Sequence, residues 1–122
     1  MITGIGVDLV EISRFERLLE LTPRLRERLF TPAERALPVR SLATRFAAKE
    51  ALTKALGDPV GMQWTEIEVI TKGSEPPSFI LSGSTAATVA RRGITGIHLT
   101  MAHDGDVAVA YVVAESANRT LP

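Results

Sequence analysis

With 122 residues, 45% of them hydrophobic, and a formal net charge of zero, the chain has the size and composition of one folded domain with a single core. The charge balance argues against general nucleic-acid binding, and the absence of cysteine removes disulfides, thiolate metal sites and thiol nucleophiles. No apolar run approaches the roughly 18 residues of a membrane span, and the start lacks a basic region followed by a long apolar one, so a cytoplasmic protein without a membrane contact is expected.

Ile2 to Val10 reads as a strand, with Ile5, Val7 and Leu9 on one face and Gly4, Gly6 and Asp8 on the other. The two glycines strip their face of side chains, so a ligand or another chain could come close there. Gly4-Ile5-Gly6 is not a dinucleotide fingerprint, because the third glycine it needs is Leu9, and no glycine-rich phosphate loop is present. Ser13 with Glu16 forms a capping box that predicts a helix from about Arg14 to Leu21. Thr22-Pro23 and Thr31-Pro32-Ala33-Glu34 carry the signals of two further short helices, the second ended by Pro38.

A long helix follows, opened by Ser41 as N-cap and closed by Gly57. Ala47, Ala48, Ala51 and Ala55 give it one smooth face, while Arg45, Lys49, Glu50 and Lys54 fall on the other half. Glu50 lies at the margin of the apolar side, where a carboxylate needs a partner. Either it pairs with Lys54 at i,i+4, worth a few tenths of a kcal/mol, or it holds a cation while Arg45, Lys49 and Lys54 hold phosphates.

After the Gly57 to Gly61 loop, Thr65 to Thr71 and Ser78 to Leu81 read as strands around a Lys72 to Pro77 turn. A small helix between Ser82 and Gly93 leads to strands at Ile97 to Ala102 and Val107 to Ala114, joined by a hairpin at Asp104-Gly105. Residues 118–122 read as a frayed tail. With no repeat and no linker, the expected fold is α+β, helices mainly in the first half, packed on an antiparallel sheet that the first strand joins.

Asp8 and Glu50 are the carboxylates expected to be partly buried. Two carboxylates completed by phosphate oxygens and waters suit Mg²⁺ far better than zinc, since the only imidazoles are His98 and His103. Five residues apart, those two point to opposite faces of a regular strand. Charge is uneven: through residue 54 there are ten Lys and Arg against seven Asp and Glu, a net of +3, and the remainder carries −3. The arginines of the first part form either a solvated helical surface or a docking surface for an acidic partner. No nucleophile motif stands out, so an attacking hydroxyl would belong to a substrate.

Gly4-Ile5-Gly6-Val7-Asp8 with Glu11, Ile12 and Arg14, then Leu29 to Glu34, then Arg45-Phe46-Ala47-Ala48-Lys49-Glu50-Ala51 with Lys54, and finally His98 to Asp104, resemble four ordered blocks of the holo-acyl-carrier-protein synthases. These are the short type of 4′-phosphopantetheinyl transferase, and the resemblance runs from about Ile2 to Val113. It implies a single transferase domain over residues 1–117, moving the phosphopantetheine arm of coenzyme A to a serine hydroxyl of an acyl carrier protein and releasing adenosine 3′,5′-bisphosphate. It implies Asp8 and Glu50 as Mg²⁺ ligands and catalytic residues together with Lys54 and His103. Arg45, Lys49, Lys54, His98 and His103 fall in its coenzyme A site. Arg14 stands where the family meets the carrier protein, and Arg17, Arg24 and Arg26 extend that surface by the charge pattern. It further implies a homotrimer with sites between subunits. Ala102 departs from the family, standing where many relatives carry a hydroxyl residue.

For the general base a Mg²⁺-bound water is preferred over Glu50 and His103. Two other functions compete: a hydrolase of coenzyme A or a nucleotide at the same metal site, and a non-catalytic trimeric domain in which Glu50 and Lys54 form only a surface ion pair.

Overall fold

The computed structural model describes residues 1–117; the expected tail, 118–122, lies outside the described residues. The elements follow as β1 (Ile2–Glu11), α1 (Ile12–Leu21), α2 (Leu25–Leu29), α3 (Val39–Ala55), a 3₁₀ turn at Trp64–Glu66, β2 (Ile67–Ile70), β3 (Ser78–Leu81), α4 (Gly83–Arg91), β4 (Ile94–Asp104) and β5 (Val107–Ser116). β1, β5 and β4 form an antiparallel sheet in that order, so the first strand does join the last two. Among the described residues, β2 and β3 pair only with each other, as a separate small sheet. The architecture is α+β.

α3 lies across the inner face of the large sheet, and small residues on both sides bring it close. Ala43, Ala47, Ala48 and Ala51 on the helix meet Ala108, Ala110, Val112 and Ala114 of the central strand, all at most 1% exposed. On β1 the closest approach falls at glycine. A Cβ at Gly4 would collide with the carbonyl of Ala55, and one at Gly6 with that of Ala51. The bare face of β1 therefore admits α3, not a ligand or a second chain as the sequence suggested. It is the opposite face, with Ile5, Val7, Leu9, Val107 and Tyr111, that stands exposed, Leu9 by 67%.

The local signals are redirected by tertiary contacts. α3 begins at Val39, behind Pro38, without using Ser41 as a cap, and Gly57 follows it in the left-handed region expected of a C′ glycine (φ +76°). Thr22 closes α1 rather than opening a helix, and α2 begins after Arg24, itself left-handed. The Thr31–Glu34 box makes its reciprocal bond, from Thr31 N–H to Glu34 Oε1 at 3.0 Å. The segment nonetheless stays a series of turns, because the Glu34 carboxylate is drawn into the core. Among the described residues, no helix is long and apolar enough to cross a membrane.

Candidate active site

Asp8 points from β1 toward α3, and the glycine-set spacing brings Lys54 onto it. Lys54 Nζ lies 2.9 Å from Asp8 Oδ1 and donates to the Val7 carbonyl at 3.1 Å. The bond to Asp8 raises the Lys54 pKa. Glu50, one turn earlier, is half-buried and makes no side-chain hydrogen bond among the described residues. The i,i+4 pair that the sequence offered is thus not made, since Lys54 is taken by Asp8. Burial raises the Glu50 pKa, the charges of Asp8 and Asp58 add to it, and Lys54 opposes them. Glu50 stands between two cavities. One, of about 460 Å³, is walled by Asp8, Arg14, Phe15, Arg17, Leu18 and Phe46. The other, of about 160 Å³, is walled by Thr53, Asp58, Gln63 and Trp64.

A second constellation forms where the first turns of α3 meet the end of β4. Arg40, Ser41, Thr44, Arg45 and His103 line a hollow of about 230 Å³. Arg45 is 9% exposed, its Nη2 donates to Thr71 Oγ1 at 3.3 Å, and its Nε is buried with no partner among the described residues. Burial lowers its pKa and the charge of Glu34 opposes this. The hollow lies at the positive end of α3 between the Arg40 and Arg45 side chains, a setting that favours an anion.

These two constellations do not meet within one chain. Asp8 is level with Ala110 and Met101, while His103 is level with Ala108 on the far edge strand. Two strand spacings, about 10 Å, separate the edges. Asp8, Glu50 and Lys54 lie on the β1 flank of α3, and Arg45 with His103 on the β4 flank.

Three of the expected site residues are placed elsewhere. Lys49 is fully buried, with its ammonium 2.7 Å from Glu34 Oε1 and donating to the carbonyls of Leu29 (2.7 Å) and Trp64 (3.1 Å). All three of its donors are spent, so it has none for a phosphate. Burial lowers its pKa, and the bond to Glu34 works against that. His98 lies on the outer face of the sheet, 2.8 Å from Glu115 Oε1, away from His103. Its bond lowers the Glu115 pKa. Arg26 is turned to the carbonyl of Arg35 at 2.9 Å, leaving Arg14 and Arg17 at the cavity and Arg24 exposed beyond it.

A family profile described as the 4′-phosphopantetheinyl transferase superfamily matches residues 4–112. The chain belongs to that superfamily. The holo-[acyl-carrier-protein] synthase of Clavibacter sepedonicus is 56% identical over 94% of this chain and 97% of its own length. Among solved structures, the Neisseria meningitidis holo-[acyl-carrier-protein] synthase superposes with a TM-score of 0.87 at 33% identity, covering 95% of this chain and all of that one. The Bacillus anthracis enzyme, solved in complex with CoA (3′,5′-ADP), gives 0.77 at 35% identity over 96% of this chain and 99% of its own.

Within this transferase-superfamily chain, sequence reasoning missed Asp58, which sits beyond α3 in a left-handed conformation (φ +56°) and acts on Glu50 through its charge. It also missed the aromatic row of Phe15, Phe46 and Trp64, stacked with ring centroids 5.1 and 5.4 Å apart. Those rings come from three separate segments, so no periodicity announces them.

Proposed function

We propose that the chain transfers the 4′-phosphopantetheine arm of coenzyme A to a serine hydroxyl of an apo acyl carrier protein in a Mg²⁺-dependent reaction. The observation that carries this reading is the desolvated Glu50 carboxylate facing Asp8, with Lys54 bridging to Asp8, at the floor of an arginine-rimmed cavity. Membership of the superfamily and the kinship to holo-acyl-carrier-protein synthases support it. The non-catalytic alternative needed a Glu50–Lys54 surface pair, and Lys54 pairs with Asp8 instead.

The residues fit Mg²⁺. Glu50 has a raised pKa, no hydrogen-bond partner among the described residues and two other carboxylates acting on it, which is a site short of positive charge. Among the described residues no cluster of three or more potential ligands forms a cage, which suits a hard cation that takes one or two carboxylates and fills its shell with water and phosphate. Bound by Asp8 and Glu50, Mg²⁺ would neutralise charge on the pyrophosphate as it breaks.

The serine oxygen forms a bond to the phosphorus that bears the pantetheine arm as its proton passes to water in the cavity. The bond from that phosphorus to the bridging oxygen breaks, and adenosine 3′,5′-bisphosphate leaves with the electron pair. Lys54, exposed and singly charged, is placed to donate to phosphoryl oxygens at the lip of the site. Arg45 and His103 supply an anion hollow for another phosphate of coenzyme A. Arg14, Arg17 and Arg24 offer positive charge to an acidic carrier protein, steering the encounter.

Because the carboxylate and anion-binding halves lie on opposite flanks of α3, the complete site is proposed to form between neighbouring copies in a homotrimer. The exposed Ile5, Val7, Leu9 and Tyr111 face supports self-association. The same reading puts the enzyme in the cytoplasm. The test is mass spectrometry of an apo carrier protein incubated with the protein, coenzyme A and Mg²⁺. A gain of one phosphopantetheine, lost on chelation and in Glu50→Gln, is expected. No gain with several carrier proteins would overturn the reading, and coenzyme A cleavage without any carrier would replace it with a hydrolase.

A further inference from the structure

We infer that Asp106, at the tip of the β4–β5 hairpin, is a positioning residue for carrier-protein docking, holding the first turn of α1 and with it Arg14 and Arg17. The inference rests on the reading of α1 as the carrier-facing helix.

A helix leaves its first N–H groups without internal partners, and they are normally met by a local cap. α1 has none: Glu11, at its N-cap position, makes no side-chain cap bond. The partner arrives instead from 93 residues away. The N–H of Ile12 donates to the carbonyl of Asp106 at 2.7 Å, the N–H of Ser13 donates to Asp106 Oδ1 at 3.0 Å, and the Ser13 hydroxyl donates to Asp106 Oδ2. One residue thus meets the first two N–H groups and the only hydroxyl of the turn, and it places a negative charge at the positive end of the helix. Gly105, with φ +56°, gives the hairpin the tight turn that presents Asp106 there.

The second anchor of α1 is Phe15, 3% exposed and stacked on Phe46. Arg14 lies between these two anchors, at the wall of the cavity that also holds Asp8 and Glu50. With Asp106 removed, Phe15 still keeps the helix on the core, but its first turn is free to fray and Arg14 loses its fixed bearing. Asp106 itself lines neither constellation.

Steady-state kinetics with apo carrier protein and coenzyme A varied in turn would test this, with a thermal melt of each variant. Asp106→Ala is expected to raise KM for the carrier protein by about five-fold, the size of one lost cap, and to leave KM for coenzyme A unchanged. Ser13→Ala, which spares both backbone bonds, should show a smaller rise, and adding it to Asp106→Ala should change little further. An unchanged carrier KM in folded Asp106→Ala, or equal rises for both substrates, would overturn the inference. If Asp106→Ala does not fold, Ser13→Ala and Asp106→Asn decide it by the same criterion. Failure of the wild-type protein to modify any carrier protein would instead strike the transferase reading itself.

Discussion

Lys49 and Lys54 stand five residues apart on one helix, each against a carboxylate, at 2.7 and 2.9 Å. Distance makes them look alike, and surroundings make them opposites. Lys49 is sealed inside with Glu34, whose other oxygen accepts the N–H of Val69 at 2.9 Å. The pair ties α3, the Thr31–Glu34 turns and β2 into one body, under the face of the Phe30 ring 5.0 Å away. Lys54 is more than half exposed, and its partner Asp8 also faces Glu50. A buried pair with every donor spent holds a fold. An exposed pair beside a carboxylate that has no hydrogen bond among the described residues can exchange partners, which is what the proposed metal and phosphate site requires.

Four variants put this contrast to the test. The largest effect is expected at Lys49→Met, which leaves the Glu34 carboxylate buried and unpaired. Denaturant unfolding should fall by about 3–5 kcal/mol, and a loss below about 1 kcal/mol would mean the pair is no anchor. Glu50→Gln should next reduce turnover by at least about 10²-fold, the scale of losing one electrostatic contact to a transition state.

The same variant should melt higher than wild type at pH 7 without divalent cations. The sign follows from the raised Glu50 pKa: the folded state holds that proton more tightly than the unfolded state. Wild-type stability therefore falls as pH rises from the ordinary carboxylate range through the raised value, and Gln escapes this fall. Added Mg²⁺ should raise the wild-type midpoint and not that of the variant. Equal shifts in both proteins would remove Glu50 from the metal.

Lys54→Ala should cost no more than about 1 kcal/mol of stability, as exposed pairs do, while turnover drops by about 10-fold or more. Stability loss on the scale of Lys49→Met would erase the distinction between the two lysines. Smallest is His103→Ala, expected to weaken coenzyme A binding several-fold with a lesser change in kcat, since it stands with Arg45 across the sheet from Glu50. Near-total loss of turnover with coenzyme A still bound would give the serine proton to the histidine.

The sequence carried the α+β order, the alanine face of α3, the marginal position of Glu50 and the opposed faces of His98 and His103, because each is a matter of period along one element. It failed where the answer depends on what lies opposite. A glycine face reads the same whether it meets a ligand or a helix, and only the fold shows α3 seated on Gly4 and Gly6. Lys49 reads as one more cation of the Arg45–Lys54 stretch, because its partner lies fifteen residues earlier in turns. Ser13 and Glu16 satisfied the local rule for a capping box, yet the bond went to Asp106, which no local rule reaches.

The contact of Gly4 and Gly6 with the backbone of α3 acts as a gauge without play. Two main chains touch directly, so the gap between strand and helix is set by peptide geometry and no neighbouring side chain can be resized to restore it. A methyl group at Gly6 would work as a shim under the helix, lifting Ala51 and carrying Glu50 and Lys54 away from Asp8 with it. The reach of the site is, in this sense, calibrated by atoms that are not there.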